Sequence, residues 1–142
     1  MAKSAVVEPS QFKLNLTSTD GIFNQMALLY SPEYTLGYDR GYDSRNIASN
    51  NYITSIIDGP SGGAFTIQSR PEFVSNDVVA LEYKVSKSGS YTITLDVFDG
   101  LFQTQGIYIK DKSNNNVYDL KSGAFTFQSE VGSFDNRFEI IY

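Results

Sequence analysis

The sequence predicts an all-β fold, a two-sheet antiparallel β-sandwich of jelly-roll type, on three observations. Apolar and polar residues alternate at period two in several short runs, the mark of a strand with one buried face. Turn-forming residues separate those runs, and in the C-terminal half they recur at close to the spacing of a sandwich or barrel. Ten Tyr and ten Phe supply the entire aromatic content, with no Trp, and such residues suit a pleated, half-buried surface. At 142 residues the chain is long enough for one core, and nothing in it marks a second composition regime or a repeat. A single domain over residues 10–142 is therefore expected, preceded by a loose arm over residues 1–9.

Taken in order, Phe12, Leu14 and Leu16 alternate with Lys13 and Asn15. Residues 22–30 place Ile22, Met26 and Leu29 at helical spacing after Asp20, but also Met26, Leu28 and Tyr30 on one strand face. The strand is the preferred reading, and Pro32 ends the element either way. Residues 31–51 show no periodicity, and a loop of that length in a compact domain is usually functional or disordered. Alternation returns at Phe65 and Ile67, at Val79, Leu81, Tyr83 and Val85, and at Tyr91, Ile93, Leu95 and Val97. It continues at Ile107 and Ile109, at Phe125 and Phe127, and at Phe138 and Ile140. Between the runs stand Asp20-Gly21, Asp58-Gly59-Pro60, Ser88-Gly89, Asp99-Gly100, Asn114-Asn115-Asn116 and Ser122-Gly123.

Composition removes several function classes. The formal net charge is -5, which disfavours nucleic acid and anionic membranes, since both are bound through clustered positive charge. No histidine or cysteine is present, so Ser-His-Asp and Cys-His nucleophiles, thiolate zinc sites and disulfides are excluded. The longest apolar runs fall far short of the roughly 20 residues of a transmembrane helix, so no membrane insertion is expected.

The most distinctive constellation is Gly37-Tyr38-Asp39-Arg40-Gly41-Tyr42-Asp43. Asp39 and Asp43 would give hard oxygen ligands on a flexible loop, which is what calcium takes, although the spacing is not that of an EF-hand. The same loop also reads as solvated, its aspartates capping turns or pairing with Arg40 and Arg45. Tyr34, Tyr38, Tyr42 and Tyr52 with Arg45 and Asn51 would make a sugar-binding surface, because aromatic faces pack on pyranose rings while fixed polar groups read hydroxyls. Against that stands the ordinary half-buried tyrosine of a sandwich. Asp96 with Asp99, Asp111 with Asp119, or Glu72 with Asp77 are the pairs a carboxylate-based glycoside hydrolase would need, yet each sits at or near a turn, where an acid has a structural role. Arg70 and Arg137 each stand beside an acid and a strand, and an anchoring ion pair is expected for both.

From Phe12 onward the chain resembles a module of large secreted Bacteroidota proteins that stands just before the C-terminal sorting domain of the type IX secretion system. The resemblance is carried in order by residues 36–43, by Phe65-Thr66-Ile67-Gln68-Ser69-Arg70-Pro71, by residues 78–83 and by Gly89-Ser90-Tyr91-Thr92-Ile93. Its most specific part is Asp99-Gly100-Leu101-Phe102, Ile107-Tyr108-Ile109-Lys110-Asp111, Asp119-Leu120, Phe125-Thr126-Phe127 and Gly132-Ser133-Phe134-Asp135-Asn136-Arg137-Phe138-Glu139-Ile140. It implies an extracellular or cell-surface β-sandwich carried on adhesins, and it brings no catalytic residues. No signal-peptide-like run opens this chain, and it ends at Tyr142 where that family would continue, so it reads as an excised module.

The expected function is thus a non-catalytic module acting in adhesion or as a structured spacer, with a surface glycan or another surface protein as partner. The alternative is a carbohydrate-binding module, with or without calcium as cofactor, and a carboxylate-based glycoside hydrolase stands a distant third.

Overall fold

The computed structural model describes residues 9–34, 44–45, 50–57 and 63–142. Within them the chain is all-β: β1 (Ser10–Ser18), β2 (Phe23–Tyr30), β3 (Ser44–Arg45), β4 (Tyr52–Ile57), β5 (Gly63–Arg70), β6 (Val79–Val85), β7 (Gly89–Phe98), β8 (Tyr108–Asp111), β9 (Asn116–Asp119), β10 (Phe125–Ser129), β11 (Gly132–Phe134) and β12 (Phe138–Ile141). A single 3-10 turn, Gly100–Gln103, follows β7. Among the described residues no helix is long and apolar enough to cross a membrane. Residues 1–8, most of the expected arm, lie outside the described residues.

The alternating runs fall in strands, but Ile107 precedes β8, and Ile67 of β5 is 38 % exposed while Gln68 beside it is buried. Residues 22–30 also resolved as the strand β2, whose Met26, Leu28 and Tyr30 are buried. The strands form one hydrogen-bonded path in the order β10-β7-β1-β2-β5-β4-β6-β12-β8-β9, with β3 on β5 and β11 on β6. The path rolls until its end strands meet: the rings of Tyr118 on β9 and Phe125 on β10 lie 5.2 Å apart, so the sheet is nearly a closed barrel. The core is drawn from all round it. Phe12, Leu14 and Leu16 of β1 and Ile93 of β7 join Leu81 and Tyr83 of β6, Ile109 of β8 and Ile140 of β12 in one cluster.

Three features depart from the simple alternating, antiparallel expectation. First, β2 and β5 pair in parallel, with Leu28 beside Gln68 and Tyr30 beside Arg70. Parallel neighbours need a long crossover, and residues 31–62, which include the aperiodic segment, supply it.

Second, Val97 is 46 % exposed instead of buried. Leu14 faces Leu95 but Phe12 faces Phe98, so Lys13 stands opposite both Asp96 and Val97. That extra residue is a β-bulge, which turns the following side chains out of phase with the core. Beyond it Gly100, at φ 62°, presses so close to Ser10 that any Cβ there would collide with it. The close approach lets the Leu101 N–H donate to Ser10 Oγ at 3.0 Å.

Third, β11 and β12 lie along the same edge of β6, with Phe134 opposite Tyr83 and Glu139 opposite Ala80. Residues 135–138 therefore span the stretch that residues 81–82 span on β6, an insertion of two that throws the chain outward next to Arg137.

Candidate functional site

Two arginine-centred clusters dominate the polar chemistry. In the first, the parallel pairing of β2 with β5 sets Tyr30 beside Arg70. Arg70 Nη2 and Nε donate to the two oxygens of Asp77 at 2.8 and 2.9 Å, and Nη1 donates to Gln68 Oε1 at 3.1 Å. Asp77 also accepts from the Tyr30 hydroxyl at 2.7 Å and the Val78 N–H at 3.0 Å. The Tyr30 and Tyr142 hydroxyls lie 2.8 Å apart. An aromatic nest of Phe12, Phe73 and Phe102 encloses both tyrosine rings, with centroids 4.8–6.3 Å apart.

Burial alone would raise the Asp77 pKa, but the hydrogen bonds from Arg70 and Tyr30 and the Arg70 charge outweigh it and hold the carboxyl below the ordinary aspartate range. Burial pushes both tyrosine hydroxyls well up, beyond the usual phenol range. A cleft of about 410 Å³ opens beside this nest, its wall including Ser10, Ser31, Glu72, Phe73 and Gln105.

In the second cluster, Arg137 Nη2 pairs with Asp111 Oδ2 at 3.3 Å. Nη1 donates to the Gln128 carbonyl at 2.8 Å and to the Tyr83 hydroxyl at 3.2 Å. The guanidinium carbon stands 5.1 Å from the centre of the Phe127 ring and 4.8 Å from that of Phe138, a cation–π setting that fixes its plane. Asp111 also accepts from Ser113, 2.6 Å from its hydroxyl and 3.0 Å from its N–H. Burial raises the Asp111 pKa, and the bonds from Ser113 and Arg137 bring it below the ordinary range.

Two clefts open here, of about 420 and 480 Å³, sharing Ser113, Phe134 and Arg137. Lys112, Ser133, Asp135 and Asn136 complete the first, and Ser88, Gln128 and Glu130 are among those completing the second.

The anchoring role expected for both arginines holds, with different partners from the nearest acids in sequence: Asp77 in place of Glu72, and Asp111 in place of Asp135 or Glu139. The proposed carboxylate pairs are engaged by their own surroundings. Asp96 accepts from Asn15 and Gln25 at 3.2 and 2.9 Å, and Asp99 from the N–H and side chain of Gln11 at 3.3 and 3.1 Å. Asp119 caps its turn through the Lys121 N–H and the Ser122 hydroxyl, both at 2.9 Å.

Of the expected sugar-binding set, Tyr38, Tyr42 and the calcium candidates Asp39 and Asp43 lie outside the described residues, as does the Arg45 side chain. Asn51 has a structural duty: its Oδ1 accepts from the N–H and hydroxyl of Ser86, at 2.9 and 3.3 Å, and ties the start of β4 to the β6–β7 turn. The Tyr52 hydroxyl donates to Glu82 at 3.3 Å, and its pKa is raised by burial and by that carboxylate. Tyr34 is half-buried, its N–H bonded to the Ser31 carbonyl at 3.1 Å. Among the described residues no three acidic side chains converge as a metal site would require. Sequence reasoning passed over Phe134, Ser133, Asn136 and Lys112, although a legible signal existed: Asp135-Asn136, two turn formers, interrupts an otherwise strand-like run.

A model of one family, described as a domain of unknown function, DUF8693, matches residues 1–142. The chain belongs to the DUF8693 family. No curated protein and no solved structure matches it. The DUF8693 match spans both arginine clusters and every described strand.

Proposed function

We propose that the chain is a non-catalytic module of a secreted or cell-surface bacterial protein, acting in adhesion or as a structured spacer. One observation carries the reading: the two arginine-paired carboxylates, Asp77 and Asp111, are locked in place and held as anions. A general acid needs a carboxyl whose pKa is raised towards neutrality, and these are shifted the other way.

The segments that carry the resemblance to exported surface modules support the same reading. Residues 65–71 hold Arg70, residues 107–111 hold Asp111, and residues 132–140 hold Arg137, so the distinctive residues are those that tie the sheet together. We read the rolled sheet as sandwich-like, because the inner faces of β1, β2 and β7 meet those of β6, β8 and β12 in one core.

The test is immunolabelling of intact bacterial cells that produce the native full-length protein, with a chromogenic glycoside panel run on the 142-residue chain with calcium and with chelator. Labelling before permeabilisation and no turnover in either buffer is expected. Labelling only after permeabilisation, or turnover of any glycoside, would overturn the reading.

A further inference from the structure

We propose that the two clefts flanking Phe134 form one binding site for a neutral oligosaccharide, a proposal that rests on the adhesion reading above and names its ligand class. The two-residue insertion between β11 and β12 creates the site by lifting residues 135–137 off the edge of β6. Bulges of this kind re-aim side chains at functional sites. Phe134 lies between the clefts and lines both, its ring stacked on Tyr83 at 5.0 Å with 24° between the planes. That support holds the ring still, which is what an aromatic platform for a pyranose face needs.

The polar groups round it are mostly short and uncharged: Ser113, Ser133, Asn136 and Gln128. The two cations are matched by acids. Arg137 is paired with Asp111, and Lys112 donates to Asn136 at 2.8 Å and stands 3.9 Å from Glu139. Asp135 and Glu130 add negative charge to the walls. The field in the clefts therefore does not favour an anion, and a ring with apolar faces and a hydroxyl rim fits better than a phosphate or a uronic acid. Each cleft falls within the roughly 300–1,000 Å³ of small-ligand sites, so two linked sugar rings can sit on either side of the shared Phe134.

The experiment is an amide NMR titration of the 142-residue chain with cello-, manno- and N-acetylchito-oligosaccharides, and with oligogalacturonate as the anionic arm. Saturable shifts centred on Ser113, Ser133, Phe134, Asn136 and the Arg137 Nε–H with at least one neutral sugar are expected. Asn136→Trp, which fills the first cleft from an exposed position, should weaken that binding at least tenfold while leaving the melting temperature unchanged. Phe134→Ala should weaken it equally, and Asn136→Trp decides the matter if Phe134→Ala loosens Tyr83. Shifts with oligogalacturonate alone, shifts centred elsewhere such as on Tyr34, or no shifts from a folded chain would each overturn the proposal. Surface labelling of intact cells without sugar shifts would sink this site and leave the module reading standing.

Discussion

At the Tyr30 end of the sheet the arginine is the deeper partner of its ion pair, whereas at the Tyr83 end the acid is. Side-chain exposure is 7 % for Arg70 against 19 % for Asp77, but 23 % for Arg137 against 6 % for Asp111. The same two residue types thus do different work. Arg70 is buried beside the Tyr30 ring and bonded to Asp77 and Gln68, while Arg137 is gripped from below and lines two clefts. Burying the cation makes a tie, and burying the anion makes a preorganised cation at a surface. The comparison predicts that damage at Arg70 registers as lost stability and damage at Arg137 as a smaller loss with altered recognition.

The largest effect should come from Asp77→Ala. It leaves the Arg70 charge buried without its partner and strips an acceptor from Tyr30, and breaking a buried pair from one side costs about 3–5 kcal/mol. Denaturant unfolding followed by fluorescence should show the midpoint collapse or the protein fail to fold. Asp111→Ala should cost less, about 1.5–3 kcal/mol, the usual range for a hydrogen bond to a charged group, because Arg137 reaches water once released. Equal losses in the two variants would break the comparison.

Stability against pH separates the clusters further. Both aspartates have folded pKa values below the ordinary value of 3.8, so their contribution is present above that pH and is lost as pH falls below it. Tyr30 and Tyr142 are raised above the ordinary 10.0, so their contribution is present below pH 10 and fades as pH rises past it. The acid arm belongs to both clusters, while the alkaline arm comes from Tyr30 and Tyr142 at one end and from Tyr52 on β4, whose pKa is also raised. Thermal melts across pH should therefore show Tyr142→Phe flattening the alkaline arm, while Asp111→Asn leaves that arm as it was. The smallest effect is expected from Asn136→Ala, whose exposed side chain holds only Lys112; it should fall within about 0.5 kcal/mol.

The strands were legible because one buried face imposes period two, and a bulged strand such as β7 keeps that period until the bulge. Val97 was misplaced for that reason: one inserted residue changes the facing of all that follow, and no local pattern announces it. The arginine pairs were legible as pairs but not by partner, since Arg70 and Arg137 pass over acids near them in sequence for ones brought close by the fold. The parallel pairing of β2 with β5 was hidden in a long aperiodic crossover. The Phe134 clefts were half legible, through Asp135-Asn136 inside a strand-like run, but their depth comes from register against β6, which only the paired strands reveal.

The most direct measurement is a pair of double-mutant cycles by chemical denaturation, Arg70→Met with Asp77→Leu and Arg137→Met with Asp111→Leu. The account predicts a coupling energy for the Arg70 pair at least twice that of the Arg137 pair. A coupling at Arg137 equal to or larger than that at Arg70 would contradict it.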